Sequence, residues 1–521
     1  MRMQIFSFSP FGYEGALVTV EVDIRRGIPA VDIVGLADGA VKESRERMRA
    51  AVQNSGFDFP PERVLVSLSP ADMRKEGAGF DLAIALAVLQ ARSGKDSFSD
   101  SPAVLVMGEL ELSGNVRGVR AVHAAASTAA ASGIFKCIVP LANADEAREV
   151  HGMKVYGAAS LEDAFSALDS DELFTERSRS EQSAFIPENC VETEGVLFPP
   201  VTEGFEFADV AGQSFFVRGL QIAAAGGHNL IAIGAPGCGK TMALQKFQTL
   251  LPLLTVEEAQ PVTRIYSIAG LMRGNEPLVR IAPFRQPHQT ATIEGMCGGG
   301  VRCIPGEISL AHNGVLFLDE AAEFRSSVLQ MLRVPIESGR ITLARAGRST
   351  VYPASFQLLM AANPCPCGNF GSKSKICLCS ARAVETYWNK FSAPLLDRID
   401  MRVFVDNEGI GEAAARTTTA ELRTEIARAV KVQRKRQGKK NAKLLPEEIA
   451  RCCPMSADGR KSLDNAAMRC GFSPRAVSSS VKLARTIADM AGCTVIQEAH
   501  VKEAIQYRKA CTGFLPENVD G

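Results

Sequence analysis

An α/β fold with a central parallel sheet is predicted for this 521-residue sequence on three observations. From 204 to 405, short apolar runs alternate with helical stretches, the pattern of strands buried between helices. One run, NLIAIG, opens directly into a glycine-rich loop, Gly234-Ala235-Pro236-Gly237-Cys238-Gly239-Lys240-Thr241, followed by a helical segment. A second, GVLFLDE, ends in two acids, Asp319 and Glu320.

Composition permits this fold and limits the alternatives. At 46% hydrophobic and 22% charged the chain has ordinary globular character, and its length suggests about two to four domains. Lys plus Arg equals Asp plus Glu at 58 each, so any surface for nucleic acid is local. The opening MRMQIFSFSPFGYEG lacks a signal-peptide pattern, and no apolar run approaches the roughly 20 residues that span a bilayer. A cytoplasmic location without membrane attachment is expected. There the 14 cysteines stay reduced, and clustered ones suit metal better than disulfides.

Residues 1–168 mix strand-like runs (ALVTVEVDI, ERVLVSLS, KCIVPL) with alanine-rich helical stretches, an α+β domain. Residues 169–203 are polar, close on Pro199 and Pro200, and read as a linker. Beyond the core, 406–521 lacks convincing strands and reads as a small helical lid. Its basic run from Lys431 to Lys443 reads first as a solvated helix face and second as a nucleic-acid contact.

The glycine loop carries the chemistry. A phosphate needs several N–H donors at close range, and a glycine-rich backbone can curl around it while the following helix adds its dipole. Lys240 is expected to reach the β- and γ-phosphates of ATP, and Thr241 and Asp319 to ligate Mg2+. Glu320 is placed to deprotonate an attacking water. Asn363 ends the run FQLLMAANP, where its carboxamide could hold that water. Arg398, in APLLDRID, could complete a neighbour's site as an arginine finger.

Two further patterns stand out. Cys365, Cys367, Cys377 and Cys379 form two close pairs in loop 365–379, a set that satisfies tetrahedral structural zinc. Cys238 fills a variable loop position rather than serving as a nucleophile. GRITLARAGRSTVY (339–352) alternates around an AGRS turn and reads as a hairpin bearing Arg340, Arg345 and Arg348 without an acid. Those arginines could follow a DNA backbone.

In order along the chain, FADVAGQ (207–213), AAAGGHNL (223–230), PFRQPHQT (283–290), GEISLAHNGVLFLDE (306–320), AANPCPCG (361–368) and LLDRID (395–400) resemble the magnesium-chelatase-like AAA+ family, specifically its ComM/YifB group. The resemblance covers nearly the whole chain. It implies a P-loop NTPase (AAA+) core with a helical lid, assembled as a homohexamer with ATP between subunits. It further implies Asn363 as sensor 1, Arg398 as the finger acting in trans, and Arg475 of SPRAV as sensor 2. The implied activity is that of a DNA helicase driving branch migration during recombination of incoming DNA, on single-stranded or branched DNA. Gln289 departs from the pattern, since relatives usually carry a second histidine after His288.

The N-terminal stretches RKEGAGFDLAIALAVL, MGELELSGNVRG and IFKCIVP are similar to the proteolytic domain of Lon-type proteases. That family pairs a Ser nucleophile with a Lys. Here the serine position falls on Gly79 and the lysine position on His123, so the fold is expected without the protease activity. Two rivals to the helicase reading are a chelatase-type motor remodelling a partner protein and an ATP-dependent protease or adaptor.

Overall fold

A computed structural model describes residues 3–509 except 72, 76, 94–101, 177–184, 273–275, 346–347, 372–374 and 406–415. The fold is mixed α/β with a parallel central sheet, preceded by an α+β domain. That first domain is built on a seven-stranded sheet ordered Ala30–Val34, Arg63–Ser69, Ala16–Arg25, Gln4–Ser9, Ala103–Val106, Lys136–Pro140, Lys154–Ala158. The helix Asp81–Arg92 is buried from Asp81 to Gln90, which is why DLAIALAVLQ is apolar all round. It packs on one face of the sheet with Ile5, Val18 and Val66, while Val122–Ala131 covers the other face with Phe8 and Leu105.

The second sheet is parallel throughout, ordered Phe284–Arg285, Val315–Leu318, Gln357–Ala362, Leu230–Gly234, Met401–Val405. Strands covered on both faces read as unbroken apolar runs, and LIAIG and VLFL are buried at every residue. Successive side chains point to opposite sides. Leu230, Ala232 and Phe317 join one core, and Ile231, Ile233 and Leu318 the other.

The helices after residue 415 share the first of these cores. Leu422, Ile426, Leu483, Ile487 and Ile505 pack with Leu230 and Val403, so the lid and one face of the sheet are a single apolar body. Inside the stretch read as a linker, Val191–Thr193 pairs with Val196–Phe198, and Phe198 is fully buried beneath the Arg423 guanidinium at 5.1 Å. The sequence offers only VLF there, too short a run to signal a strand.

The basic run also differs from expectation. Lys431 and Lys435 lie at the surface, but Arg434 donates to the Leu253 carbonyl at 2.9 Å and Lys439 pairs with Glu448 at 2.6 Å. Arg436 grips Asp489 through two 2.8 Å bonds. A run with no acid of its own finds its acids and carbonyls on neighbouring elements, so much of it fastens the lid.

The α+β domain docks on the helix Val256–Ala269 of the second domain. His123 is buried and its Nε2 lies 2.8 Å from Gln260 Oε1, while Gln260 donates to the Glu149 carbonyl at 2.7 Å. His123, which the sequence comparison set against a catalytic lysine, is thus an interdomain contact here. Burial pulls the His123 imidazole down to about 4. The unfolded chain binds this proton near pH 6.5, so His123 contributes its full share above that pH and loses it as pH falls toward 4. Between pH 7 and pH 5, wild type is expected to lose about 1–2 kcal/mol more stability than His123→Gln. Denaturant titrations of both proteins at the two pH values check this.

Candidate nucleotide-binding site

The strand Leu230–Gly234 ends in the loop Ala235–Gly239, and the helix Lys240–Gln245 begins at once. Gly239 closes the loop at φ 81°, a left-handed conformation open to glycine at little cost. Lys240 is buried, and its ammonium donates to the carbonyls of Gly234 at 2.6 Å and Ala235 at 2.8 Å. Its other neighbours are Asn363 Oδ1 at 3.5 Å and Cys238 Sγ at 3.6 Å. All four are uncharged. A buried cation without an anionic partner is costly unless an anion arrives.

Two strands over, Val315–Leu318 delivers Asp319, whose Oδ1 accepts a bond from Thr241 Oγ1 at 3.0 Å. Glu320 follows at φ 47°, a strained conformation for a non-glycine residue, and its carboxylate is exposed. Asn363 follows the strand Gln357–Ala362 that separates the other two. The parallel topology thus brings Lys240, Thr241, Asp319 and Asn363 to the carboxyl edge of one sheet.

Gln213, at the end of FADVAGQ, donates from Nε2 to the Cys238 carbonyl and so braces the loop from outside. Nothing in its residue type or spacing signals that contact. Arg398 and Arg475 make their contacts elsewhere. Arg398 Nη2 lies 2.6 Å from Glu337 Oε1, and Arg475 Nη1 bonds the same oxygen. Asn229 of the AAAGGHNL turn holds this segment, donating to the Arg398 carbonyl at 3.1 Å and to Asp400 at 3.0 Å. Burial alone would raise the Asp400 carboxyl, but His228, Ser479 and the Asn229 amide hold it at about 2.

The family described as Magnesium chelatase, subunit ChlI matches residues 206–413, and its C-terminal counterpart matches 416–508. Residues 20–143 match Subunit ChlI of Mg-chelatase. Competence protein ComM of Haemophilus influenzae is 37% identical over 516 residues, 97% of each chain. YifB of Escherichia coli is 38% identical over 502 residues, 95% of each chain. The chain belongs to the ComM/YifB group of the magnesium-chelatase-like family. Its likeness to Magnesium-chelatase subunit ChlI of Trieres chinensis is narrower, 28% over 190 residues and 31% of this chain.

For an AAA+ chain of this family the groups to be accommodated are ATP and Mg2+. The residues present fit both. The uncompensated Lys240 ammonium beside a glycine loop suits phosphate, and a hydroxyl and a carboxylate oxygen 3.0 Å apart suit a hard, oxygen-seeking cation.

The four loop cysteines converge as well. Their sulfurs all lie within 4.8 Å of one another, with Cys365–Cys367 at 3.4 Å, Cys367–Cys377 at 3.6 Å and Cys365–Cys377 at 3.7 Å; Cys379 completes the set. A tetrahedron with metal–sulfur bonds of about 2.3 Å has edges of about 3.8 Å, so the cluster is close to the size zinc needs. Its loop also leans on the glycine loop: a Cβ on Gly368, which sits at φ 77°, would overlap the Pro236 ring. Gly368→Ala is expected to cost on the order of 1–3 kcal/mol in stability and to weaken nucleotide binding. Thermal unfolding and titration with a fluorescent ATP analogue measure the two effects.

The hairpin Arg340–Arg345 with Arg348–Pro353 forms in register, Arg345 opposite Arg348 at its tip. Arg340 and Arg345 are exposed; the Arg348 side chain and residues 346–347 of the turn lie outside the described residues. Gln289 carries a buried Oε1 without a partner, which the structure does not explain. Among the described residues, no helix is long and apolar enough to cross a membrane.

Proposed function

We propose that this chain is a ring-forming ATPase acting on DNA, a helicase that promotes branch migration in homologous recombination during natural transformation. The convergence of Lys240, Thr241, Asp319 and Asn363 supports the ATPase half. Full-length similarity to a competence protein supports the DNA half.

In this reading residues 204–405 are the motor, 406–521 its lid, and 1–168 a domain of Lon type without Ser–Lys chemistry. ATP supplies the phosphoryl group, with Mg2+ offsetting charge on its phosphates. The amides of the Gly234–Gly239 loop and the Lys240 ammonium grip those phosphates, and Thr241 with Asp319 positions the cation. Glu320 takes the proton from the attacking water, and Asn363 orients that water. Arg398 reaches the site of a neighbouring copy in a homohexamer, and Arg475 senses nucleotide from the lid. Cys365, Cys367, Cys377 and Cys379 hold a structural zinc that stiffens the segment after Asn363. Arg340, Arg345 and Arg348 follow the DNA backbone, their charges attracted to its phosphates.

ATPase rates with and without single-stranded or branched DNA test the reading. Turnover is expected to rise severalfold with DNA and to vanish in Lys240→Ala. Arg345→Glu with Arg348→Glu is expected to weaken DNA binding and to flatten its salt dependence by about 1.4–1.8 in log–log slope. A motor that remodels a partner protein, the use that similarity to chelatase subunits would favour, ignores DNA and responds to that protein instead. Elemental analysis is expected to give about one zinc per chain, lost in the Cys367→Ser, Cys379→Ser double variant.

A further inference from the structure

Glu337 sits where three elements of the fold meet. It lies near the end of the short helix Arg333–Ser338, followed by Gly339 at φ 64° and then by the hairpin strand that starts at Arg340. Arg398 comes from the end of the ATPase core, and Arg475 from the first turn of the lid helix Pro474–Met490. Both guanidinium groups spend their charge on one oxygen of this one carboxylate.

The arrangement is under-neutralised. The three residues line a cleft of about 880 Å³ together with Asp400, Lys443 and Lys482. Four cations therefore face two carboxylates, and Asp400 is already engaged by Ser479 and the Asn229 amide. Among the described residues, Lys443 and Lys482 donate to the carbonyls of Phe356 and Ala442 and to no carboxylate. Among the described residues, the buried Nε of Arg398 has no acceptor. A phosphate offers three oxygens where Glu337 offers two, and charge-assisted bonds from arginine favour it. Glu337 itself is 44% exposed on its side chain and can leave the pair for solvent.

We propose that Glu337 stands in for the terminal phosphate of a nucleotide bound by a neighbouring copy, and that it is displaced when Arg398 and Arg475 take that phosphate. The exchange frees the root of the hairpin at Gly339, so the neighbour's nucleotide state reaches Arg340, Arg345 and Arg348 through one released ion pair. The inference rests on the reading of Arg398 as a residue acting in trans, and adds that Arg475, which shares Glu337 with it, senses that same neighbouring nucleotide.

The test uses the full chain and follows ATPase rate against ATP concentration, with and without single-stranded DNA. Glu337→Gln keeps the shape and removes the competitor. It is expected to lower half-saturating ATP about three- to tenfold, because the arginines no longer need release. It is also expected to raise DNA-free turnover and to shrink the DNA stimulation to roughly twofold or less, while Glu337→Asp, which keeps the charge, behaves as wild type. Arg398→Ala is expected to reduce turnover about a thousandfold while fluorescent-nucleotide binding persists. If Arg398→Ala collapses turnover but Glu337→Gln matches wild type, the exchange is overturned and the trans reading stands. Normal turnover in Arg398→Ala overturns both. Tighter DNA binding by Glu337→Gln without nucleotide, with an unmoved ATP response, assigns the cleft to nucleic-acid phosphate and also overturns the exchange.

Discussion

The Lys240 ammonium is buried among two carbonyls, a carboxamide oxygen and a thiol, and each of those groups reaches it from a different constraint. The carbonyls belong to the loop at the end of the central strand, and Asn363 follows the adjacent strand. Both are held by hydrogen-bonded register between Leu230–Ile233 and Leu359–Ala362. The same register, carried one strand further, fixes Asp319 opposite Thr241. Buried parallel strands tolerate no slip without turning both apolar faces inside out. The position of the cation is thus tied to the packing of two cores rather than to the loop alone.

Much of this was legible because the physics is local. A strand buried on both faces must be an apolar run, a loop that wraps phosphate must be glycine-rich, and a carboxylate at a strand's carboxyl end reveals itself as LFLDE. The hairpin was legible for the same reason, through period-two alternation around a turn. What could not be read is what depends on partners distant in sequence. Phe198 gives no local sign that Arg423 will cover it, and the Lys431–Lys443 run gives none that Asp489, Glu448 and the Leu253 carbonyl await it. Glu337 is an unremarkable surface acid in sequence and becomes informative only when two arginines more than fifty residues away are seen to share it.

The α+β domain is held to the second domain by buried polar groups. His123 and the helix that carries it remain packed in the domain's own core, yet the imidazole faces Gln260 of the neighbouring domain. Ser267 and the buried Glu146 carboxylate repeat the pattern nearby, as does the bond from the Ala121 amide to the Ser267 carbonyl at 3.1 Å. An interior polar cluster that spans two domains aligns them, because each donor left unmatched by a shift carries a desolvation cost.

The loop around Tyr13 extends this docking to the hairpin. Its amide donates to Thr350 Oγ1 at 3.0 Å and its ring meets Tyr352 edge-on at 5.7 Å, while the Arg264 guanidinium lies 4.7 Å above it and donates to its carbonyl. Tyr352, Ile265 and Leu310 form a small apolar cluster of the ATPase part that Tyr13 helps to seal. The first domain is therefore not a detachable cassette. A fragment trimmed to the ATPase would present that cluster to solvent as an adhesive patch. Self-association measured on it would report the cut surface as readily as any assembly of the whole chain.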